Sequence, residues 1–501
     1  MALAPFHHVS NRTRASAGVE CETRRMSSPE SCCDPAAVVA HTTQVWDQDI
    51  VPALIEYIAV PAVSVAFDPE WETHGHLDAV AEAAARWART RPVAGLTVEI
   101  IRLPGRTPVV WFEVPAFAPG PGDPRHGVDD TALLYGHLDK QPPMSGWRDG
   151  LGPWTPVIED DRLYGRGGAD DGYALYASIA AIEAVQAAGG GHVRCVGLIE
   201  CSEESGSPDL PAYFDHLAAR IGTPSLVVCL DSFCGDYERL WTTTSLRGLV
   251  EVILRVDVLT EGVHSGSASG VVPDSFRIAR HLLDRIEDSR TGRIVVPELW
   301  ADTPAGRDAE IQAIADELGD ALVRPYPLAG DTEPAVPSTE PAAQLRAKTW
   351  EPTLTVIGTD GLPAVQAAGN VLRPFTTLAL SFRVPPTVDA DRAAEAISAT
   401  LTANPPHRAQ VSVHSPSAEG GWDAPATAPW LATAMAHASN ATFGKPPASL
   451  GEGGSIPFMG MLGKQFPEAQ FLLTGVLGPG SNAHGPNEFL HLPTGRNVTA
   501  S

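Results

Sequence analysis

The sequence lacks long apolar runs and paired cysteine motifs. No stretch approaches the roughly 18 consecutive apolar residues that a membrane-spanning helix needs, and the N-terminus has no basic start followed by an apolar run. The seven cysteines form an odd set without CxxC spacing, which indicates neither a disulfide framework nor a thiolate zinc site. We therefore expect a soluble cytoplasmic protein with reduced, mostly buried thiols.

Basic residues are few as well. The 501 residues contain 35 lysines and arginines against 60 aspartates and glutamates, for a net charge of -25. This charge repels phosphate backbones and anionic lipid, which disfavours nucleic-acid and membrane partners. The acidic excess indicates either a solvated surface or carboxylates gathered around cations, and composition alone favours the surface.

The sequence signatures of three other enzyme classes are absent. No GxxxxGK[ST] occurs and YGRGGADD departs from GxGxxG at its last position, which disfavours a nucleotide-dependent enzyme. The absence of GxSxG disfavours a serine hydrolase. The absence of HExxH excludes a zinc protease of that type.

The patterns along the chain predict an interrupted domain. Residues 1–35 show no periodicity and predict a disordered leader or a misplaced start, with Met26 as the alternative start. From there to about residue 244, apolar strands alternate with helices, which implies a sheet with parallel strands covered by helices. After Trp241 the texture becomes α+β, and near residue 420 the first texture resumes.

The fold class that follows is α/β, with a mixed sheet in an α/β/α arrangement and a smaller α+β unit inserted. We expect the larger domain to comprise residues 36–244 and 419–501, and the inserted domain to comprise residues 245–418. Within the insertion, residues 296–350 are rich in Pro, Ala, Asp and Glu, and we expect loops and a helix on the surface of the second unit.

The first candidate site motif is GHLDKQP at a predicted strand end. His137 and Asp139 lie two residues apart, so their side chains point to the same side. An aspartate so placed could accept the second ring N–H of a metal-binding histidine. On its own the pair is more typical of a hydrogen-bonded surface contact, and that interpretation is favoured until other motifs are added.

Acidic residues stand at further predicted strand ends and turns. Asp170 and Asp171 open a helix after a Gly-rich turn, where a carboxylate either caps the helix or bridges two cations. Glu203 and Glu204 follow an apolar strand, and adjacent carboxylates repel each other unless a cation or a shared proton compensates them. Asp231 ends another strand.

These residues suit a pair of metal ions. The carboxyl ends of strands are where open α/β sheets build their sites. Imidazole and carboxylate ligands without cysteine suit zinc, manganese or cobalt, arranged as a pair able to activate water. His484, in the loop SNAHGPNE, offers a further neutral ligand.

The ordered motifs GHLDKQP, LYGRGGADD, EESGS, SLRG, HSG, SFRVPP, EGGSIP and NAHGPNE resemble a known family. It comprises the co-catalytic di-metal hydrolases of the zinc aminopeptidase-like fold, the aminoacylase and carboxypeptidase G type metallopeptidases, with carnosinase and the cytosolic dipeptidases among them. The resemblance extends from residue 45 to residue 492. GHxDxQP and EGGSIP point to the carnosinase-like branch.

The resemblance implies a catalytic domain with two divalent metal ions per subunit, for which zinc is the first choice and manganese or cobalt the alternatives. Asp170 would bridge the two ions. His137 and Asp231 would complete one site, and Glu204 and His484 the other. Asp139 would orient His137, and Glu203 would be the general base for a water that bridges the metals.

The resemblance also implies substrate contacts from the inserted lid and dimerisation domain. His264 matches a histidine that reaches into the site of a partner subunit to polarise the scissile carbonyl, which implies a homodimer. Arg383 matches an arginine that holds the terminal carboxylate of the substrate. Asn370 and Ser455 match positions that contact substrate, although Asn370 could instead cap a turn and Ser455 a helix start.

The implied activity is hydrolysis of the amide bond of dipeptides or short peptides with a free C-terminal carboxylate. Two departures concern the usual DDKG, where Gly172 replaces the lysine, and the usual VQP, where Lys140 precedes Gln141. We expect the second departure to alter a substrate subsite. Two alternatives stay open: a deacylase or carbamoylase acting on N-acyl amino acids, and a catalytically silent, metal-stabilised binding protein.

Overall fold

The computed structural model describes residues 33–118, 130–322, 326 and 328–501. The leader expected at residues 1–35 lies outside the described residues, except for its last three. The helices are α1 Pro35–Val45, α2 Val51–Ile58, α3 Trp71–His74, α4 His76–Arg89, α5 Ala174–Ala187, α6 Leu210–Ile221, α7 Ser265–Ala268, α8 Ser275–Leu283, α9 Ala305–Leu318, α10 Pro341–Thr349, α11 Ala390–Thr402, α12 Pro429–Thr442, α13 Pro457–Gln465 and α14 Leu492–Ala500.

The strands range in length from two residues to ten. They are β1 Thr97–Ile101, β2 Val109–Val114, β3 Thr131–His137, β4 Val157–Glu159, β5 Arg162–Tyr164, β6 Arg194–Glu200, β7 Leu226–Cys229, β8 Trp241–Leu246, β9 Gly248–Asp257, β10 Val263–His264, β11 Glu287–Asp288, β12 Arg293–Ile294, β13 Thr353–Asp360, β14 Val371–Leu372, β15 Phe375–Val384, β16 Gln410–Glu419, β17 Trp422–Asp423, β18 Ala448–Glu452, β19 Gln470–Leu473 and β20 Phe489–His491.

The largest sheet has the order β1-β2-β6-β3-β7-β19 among the described residues. Strand β3 runs parallel to β6 and β7, and β19 runs parallel to β7, whereas β1 and β2 are antiparallel additions. Every residue of β3 is buried, as expected for a parallel strand covered on both faces. The predicted mixed sheet is confirmed.

Helices cover both faces of this sheet because successive strand residues point to opposite sides. Leu134 packs in the core with α1, α2, α4 and α5. Leu133 and Tyr135 pack on the other face, with Phe214 of α6 and Leu462 of α13. The result is the predicted α/β/α arrangement, with β3 at its centre.

A second sheet has the order β13-β15-β9-β16, and all its strands are antiparallel. Residues of β9 alternate between buried and partly buried, which is typical of a sheet with one covered face. Helices α8 and α11 pack on that face through residues such as Ile278 and Ile397. The predicted α+β texture of this smaller unit is confirmed.

The segment 296–350 corrects an expectation. Its helices α9 and α10 do not lie on the surface of the second sheet. Ile314 and Leu345 instead pack with Trp241 and Leu450, which belong to the three-stranded sheet β17-β8-β18. The expectation assigned the segment to the unit that surrounds it in sequence. The apolar faces of α9 and α10 are instead covered by β8 and β18, which come from the two separate parts of the larger unit.

Two smaller observations complete the fold. Among the described residues, no helix has both the length and the apolar character needed to cross a bilayer. Cys195, Cys201, Cys229 and Cys234 are buried thiols.

Candidate metal centre

Three neighbouring parallel strands bring the predicted site residues to one edge of the main sheet. Strand β3 lies between β6 and β7. His137 is the last residue of β3, Glu203 follows β6 by three residues, and Asp231 follows β7 by two. Because parallel strands share the edge at which they end, these side chains meet there.

The His137 imidazole is fully buried and surrounded by carboxylates. Its Nε2 lies 3.4 Å from Asp170 Oδ1, 3.7 Å from Asp231 Oδ2 and 4.0 Å from Glu203 Oε2. This nitrogen has no hydrogen-bond partner among the described residues. A buried, unpaired ring nitrogen facing three carboxylates is suited to a cation between them.

Asp139 connects the histidine strand with the glutamate turn. Its two carboxylate oxygens accept from the backbone N–H groups of Glu203, at 3.1 Å, and Glu204, at 3.0 Å. Its Oδ1 also lies 3.5 Å from Nδ1 of His137, and its backbone oxygen lies 3.1 Å from the same nitrogen. Asp139 therefore fixes both the turn and the ring position.

The Asp170 carboxylate faces two different histidines. Oδ1 lies 3.4 Å from His137 Nε2, and Oδ2 lies 3.0 Å from His484 Nε2. This is the orientation that a carboxylate needs to bridge two cations. The turn can approach β3 because residue 136 is glycine: an added Cβ would lie 2.7 Å from Oδ2 of Asp171.

The second half of the cluster contains Glu204 and His484. His484 Nε2 lies 3.4 Å from Glu204 Oε2, which also accepts from Gln141 Nε2 at 2.6 Å. Glu204 Oε1 is buried without a partner among the described residues. His484 has a side chain 57% exposed, so this half opens to solvent whereas the His137 half is closed.

The electrostatics show a deficit of positive charge. Burial lowers the pKa of His137, but nearby carboxylates, including that of Asp170, outweigh burial and raise it well above the ordinary value. Burial and neighbouring carboxylates raise the pKa of Glu203 and Glu204 well above their usual range and that of Asp231 to about 7. Each pKa shift indicates a cluster that bound cations would stabilise, because they would offset its negative charge.

The residues present fit divalent metal ions. Ligand atoms within 4.8 Å of one another form two overlapping groups, His137 with Glu203 and Asp231, and His137 with Asp170 and Glu204. Imidazole nitrogen and carboxylate oxygen are the donors that zinc and manganese accept. The evidence for this fit is the pair of buried atoms without hydrogen-bond partners among the described residues, His137 Nε2 and Glu204 Oε1, and not the acidic character of the cluster alone.

Sequence reasoning assigned no role to four further residues near the site. Gln141 contacts a proposed ligand directly, Arg166 and Glu488 pair behind the cluster, and the carboxylate of Glu200 accepts from the hydroxyls of Tyr135, Ser202 and Ser207. Gln141, Arg166 and Glu488 all stand inside motifs that the sequence had singled out. Only their contacts in space reveal what they bind.

The position of the Lys140 side chain contradicts the expectation of an altered substrate subsite. Its side chain is fully buried, and its ammonium donates to the backbone oxygens of Tyr57 at 2.7 Å and Val60 at 2.8 Å. Burial lowers its pKa well below the ordinary value. The expectation is wrong because this cation caps carbonyls at the end of α2, where substrate cannot reach it.

The other departure, Gly172, has a steric reason. An added Cβ at this position would lie 2.1 Å from Cε1 of Tyr57 and 2.7 Å from the backbone oxygen of Gly167. A lysine at position 172 therefore does not fit this packing.

The predicted substrate residues form two local pairs. Arg383 donates to the Ser455 hydroxyl at 2.9 Å. Three residues before Ser455, at the end of β18, Glu452 accepts from Ser232 at 3.2 Å, and Ser232 follows Asp231 directly. This places the Arg383 and Ser455 pair on the Asp231 side of the cluster.

The second pair, His264 and Asn370, lies where β10 pairs with β14. The backbone N–H of Ser265 donates to the Asn370 oxygen at 2.9 Å, and the backbone N–H of Gly266 donates to His264 Nδ1 at 3.1 Å. Both residues are exposed. Among the described residues, these hydrogen bonds stay within the turn and do not reach the metal cluster of the same chain.

Comparison with known proteins gives relatives across most of the chain. Cysteinylglycine-S-conjugate dipeptidase of Corynebacterium striatum is 31% identical over 373 residues, which cover 72% of this chain and 77% of the relative. Cys-Gly metallodipeptidase of Schizosaccharomyces pombe is 24% identical over 375 residues, which cover 72% and 76%.

Solved structures show the same fold. The di-peptidase Dug1p from Saccharomyces cerevisiae has a TM-score of 0.72 at 21% identity, over 93% of this chain and 96% of the other. Human carnosine dipeptidase 1 has a TM-score of 0.72 at 21% identity, over 93% and 98%. These likenesses support the architecture.

The family follows from the sequence match. Residues 133–500 match the model of peptidase family M20/M25/M40, and this range contains each predicted metal ligand from His137 to His484. The resemblance drawn from the motifs is confirmed. The chain belongs to peptidase family M20/M25/M40.

Proposed function

We propose that this protein is a metal-dependent dipeptidase that hydrolyses the amide bond of a dipeptide or short peptide with a free C-terminal carboxylate. The observation that carries the proposal is the buried cluster in which two histidines face opposite oxygens of Asp170 beside Glu203. Relatives named as dipeptidases support the same reaction class.

The proposed metal ligands divide between two sites. His137 and Asp231 would hold one ion, Glu204 and His484 the other, and Asp170 both. When bound, two divalent ions of zinc, manganese or cobalt supply Lewis-acid polarisation of the scissile carbonyl and acidification of water. Their four positive charges exceed the negative charge of the three ligand carboxylates, so Glu203 can also be accommodated ionised.

Glu203 is the proposed general base. Its backbone is held by Asp139, and its Oε2 points toward His137. In this role the carboxylate accepts the proton that attacking water loses and donates it to the departing amine. Loading the site with cations counteracts the burial that raises the Glu203 pKa, so the base is ionised in the active form.

Arg383 is the proposed ligand of the substrate carboxylate. Its guanidinium is planar and can form two parallel hydrogen bonds with a carboxylate. Ser455 holds one end of it at 2.9 Å, which leaves the remaining N–H groups for substrate. A free C-terminus is therefore part of what the site recognises.

His264 is proposed to act in the site of a second subunit. It is exposed, and among the described residues its ring Nδ1 accepts from the backbone N–H of Gly266, within its own turn. The same unit carries an exposed apolar edge, with Val356 48% and Ile357 57% exposed on β13, an outer strand of its sheet. Such an edge is suited to pairing with a second copy.

Mixing two inactive proteins tests this arrangement. Hybrids of His264→Ala and Glu203→Gln subunits contain one site in which both residues are intact if His264 acts in trans. Activity of the mixture above that of either variant is expected. Continued inactivity of a hybrid shown to be dimeric would contradict the trans arrangement.

The domain division is proposed with the catalytic unit at 36–244 and 419–501 and the lid and dimerisation unit at 245–418. In support, the strands of the second sheet all lie between residues 248 and 419, and the main sheet takes β19 from residues 470–473. Helices α9 and α10 are the exception within this division, because they pack on the larger unit. A cytoplasmic location stays a prediction.

A substrate panel tests the function. Cys-Gly, β-Ala-His and other dipeptides are assayed beside their C-terminal amides and N-acetyl, N-succinyl and N-carbamoyl amino acids, with zinc or manganese and after chelation. Dipeptide turnover that stops on chelation is expected. Preference for an acyl amino acid would favour the deacylase alternative, chelator-insensitive turnover would contradict the metal mechanism, and metal binding without any turnover would favour the silent binding protein.

A further inference from the structure

A buried ion pair lies directly behind the metal cluster and belongs to none of the roles proposed above. The side chains of Arg166 and Glu488 are 1% and 0% exposed, and the guanidinium contacts the carboxylate directly. Arg166 stands four residues before Asp170, and Glu488 four residues after His484. The pair therefore joins two turns that are distant in sequence and that each carry a proposed ligand.

Hydrogen bonds extend from this pair to the backbone of His484 itself. Arg166 Nη2 donates to the backbone oxygens of His484 at 2.8 Å and Gly485 at 3.0 Å. In the other direction, Glu488 Oε1 accepts from the backbone N–H of Gly167 at 2.8 Å. Each side chain thus holds the turn opposite its own.

Strand pairing brings the two turns to the same place. Strand β5 ends at Tyr164 and β20 begins at Phe489, and these two residues are opposite each other in an antiparallel pair. The Gly-rich turn leaves β5 at the point where the His484 loop enters β20. The ion pair forms immediately beyond this junction.

The His484 loop needs contacts from outside the loop to keep its backbone conformation. Asn482, His484 and Asn487 have φ values of 53°, 64° and 60°, in the left-handed region that is unfavourable for a residue with a side chain. The half-exposed His484 side chain lacks a close-packed environment that would fix its direction. Its approach to Asp170 and Glu204 therefore depends on how its backbone is held.

We propose that Arg166 and Glu488 are positioning residues that place His484 for the second metal ion, an inference that rests on the proposed two-metal function. His137 and Asp231 stand at ends of strands β3 and β7 and do not depend on this pair. Loss of the pair weakens the site that contains His484 more than the site that contains His137.

Two changes separate positioning from stability. Arg166→Met removes the donors to the backbone oxygens of His484 and Gly485 but leaves the buried Glu488 carboxylate without its cationic partner, which destabilises the fold. The double change Arg166→Met with Glu488→Leu replaces the pair by apolar groups, a type of exchange that often leaves stability unchanged or raised. We therefore expect the double variant to keep the fold while it loses the bonds to His484.

The experiment is calorimetric titration of chelator-stripped full-length protein with zinc, and with manganese in a parallel series. Wild type is expected to bind two ions. In the double variant the first ion is expected to bind as in wild type and the second at least about 10-fold more weakly, the effect of losing an outer support of a metal ligand. Excess zinc is expected to restore dipeptide turnover, a rescue that a merely unfolded variant would not show.

Arg239→Met is the matched control. Arg239 is also a buried arginine, 8% exposed, and it pairs with Asp236 and Glu317, neither of which is a proposed metal ligand. It should bind both ions as wild type does. The positioning role is overturned if a folded Arg166 and Glu488 double variant binds the second ion with unchanged affinity, or if it binds both ions equally more weakly. Fewer than two bound ions in wild type would overturn the proposed function instead.

Discussion

Exchanging Glu200 for glutamine tests the electrostatics behind the metal cluster. Its carboxylate is fully buried and accepts from hydroxyl groups of Tyr135, Ser202 and Ser207. Burial raises its pKa from 4.5 to about 7, assisted by the charge of Asp139. Glutamine keeps the shape of this side chain and cannot ionise.

The direction of the pH effect follows from the raised pKa. Between pH 4.5 and about 7 the unfolded chain has lost the Glu200 proton while the folded protein retains it, so folding binds a proton and stability falls as pH rises. The pKa difference corresponds to a loss of about 3 kcal/mol across this window. The loss is complete above the folded pKa, where both states are ionised.

The assay compares chemical denaturation of wild type and Glu200→Gln at several values between pH 4.5 and 8, with equal metal loading. The stability of wild type relative to the variant is expected to fall by about 3 kcal/mol over that interval. Glu99→Gln is the control, because Arg220 lowers the pKa of Glu99 and its contribution is lost as pH falls. A pH-independent difference between wild type and Glu200→Gln would refute the reasoning.

Two further predictions address specificity and packing. Gly172→Lys should lower the free energy of unfolding by about 3 kcal/mol or more, because the added Cβ overlaps Tyr57 in a packed interior. Thermal unfolding measures this effect, with Gly306→Lys as the control because nothing lies within 4 Å of a Cβ at that position. An unchanged unfolding midpoint in Gly172→Lys would contradict the prediction. Arg383→Lys should lower kcat/KM for a free dipeptide by about 30-fold, as expected for the loss of one charged hydrogen bond, and should leave kcat/KM for the C-terminal amide of that dipeptide unchanged. An equal effect on both substrates would exclude Arg383 from carboxylate binding.

The sequence predicted the elements around the site well because their patterns are local. Apolar runs such as 131–139 are long enough to identify buried strands, and the acidic residues that follow them stand at fixed positions relative to the strand end. Parallel pairing then brings His137, Glu203 and Asp231 together without any further information. The contacts of Asp170 with two histidines fit the role expected from the motifs.

Other features depend on contacts that no local pattern encodes. Lys140 follows Asp139 beyond the end of the strand, where the alternation of side-chain direction no longer applies, and its ammonium turns to α2. The partners Arg166 and Glu488 are 322 positions apart. Helices α9 and α10 pack on strands contributed by residues 241–246 and 448–452, which their own composition could not indicate.

The central claim is that a two-metal centre works with Glu203 as its base, and the most direct test measures bound metal and dipeptide turnover together in Glu203→Gln. We expect two ions per chain, as in wild type, and turnover lower by about 10²–10⁴-fold, because the ligands stay in place while the proton acceptor is gone. Two bound ions with wild-type turnover would contradict the role of Glu203. Fewer than two ions in wild type would contradict the metal centre itself.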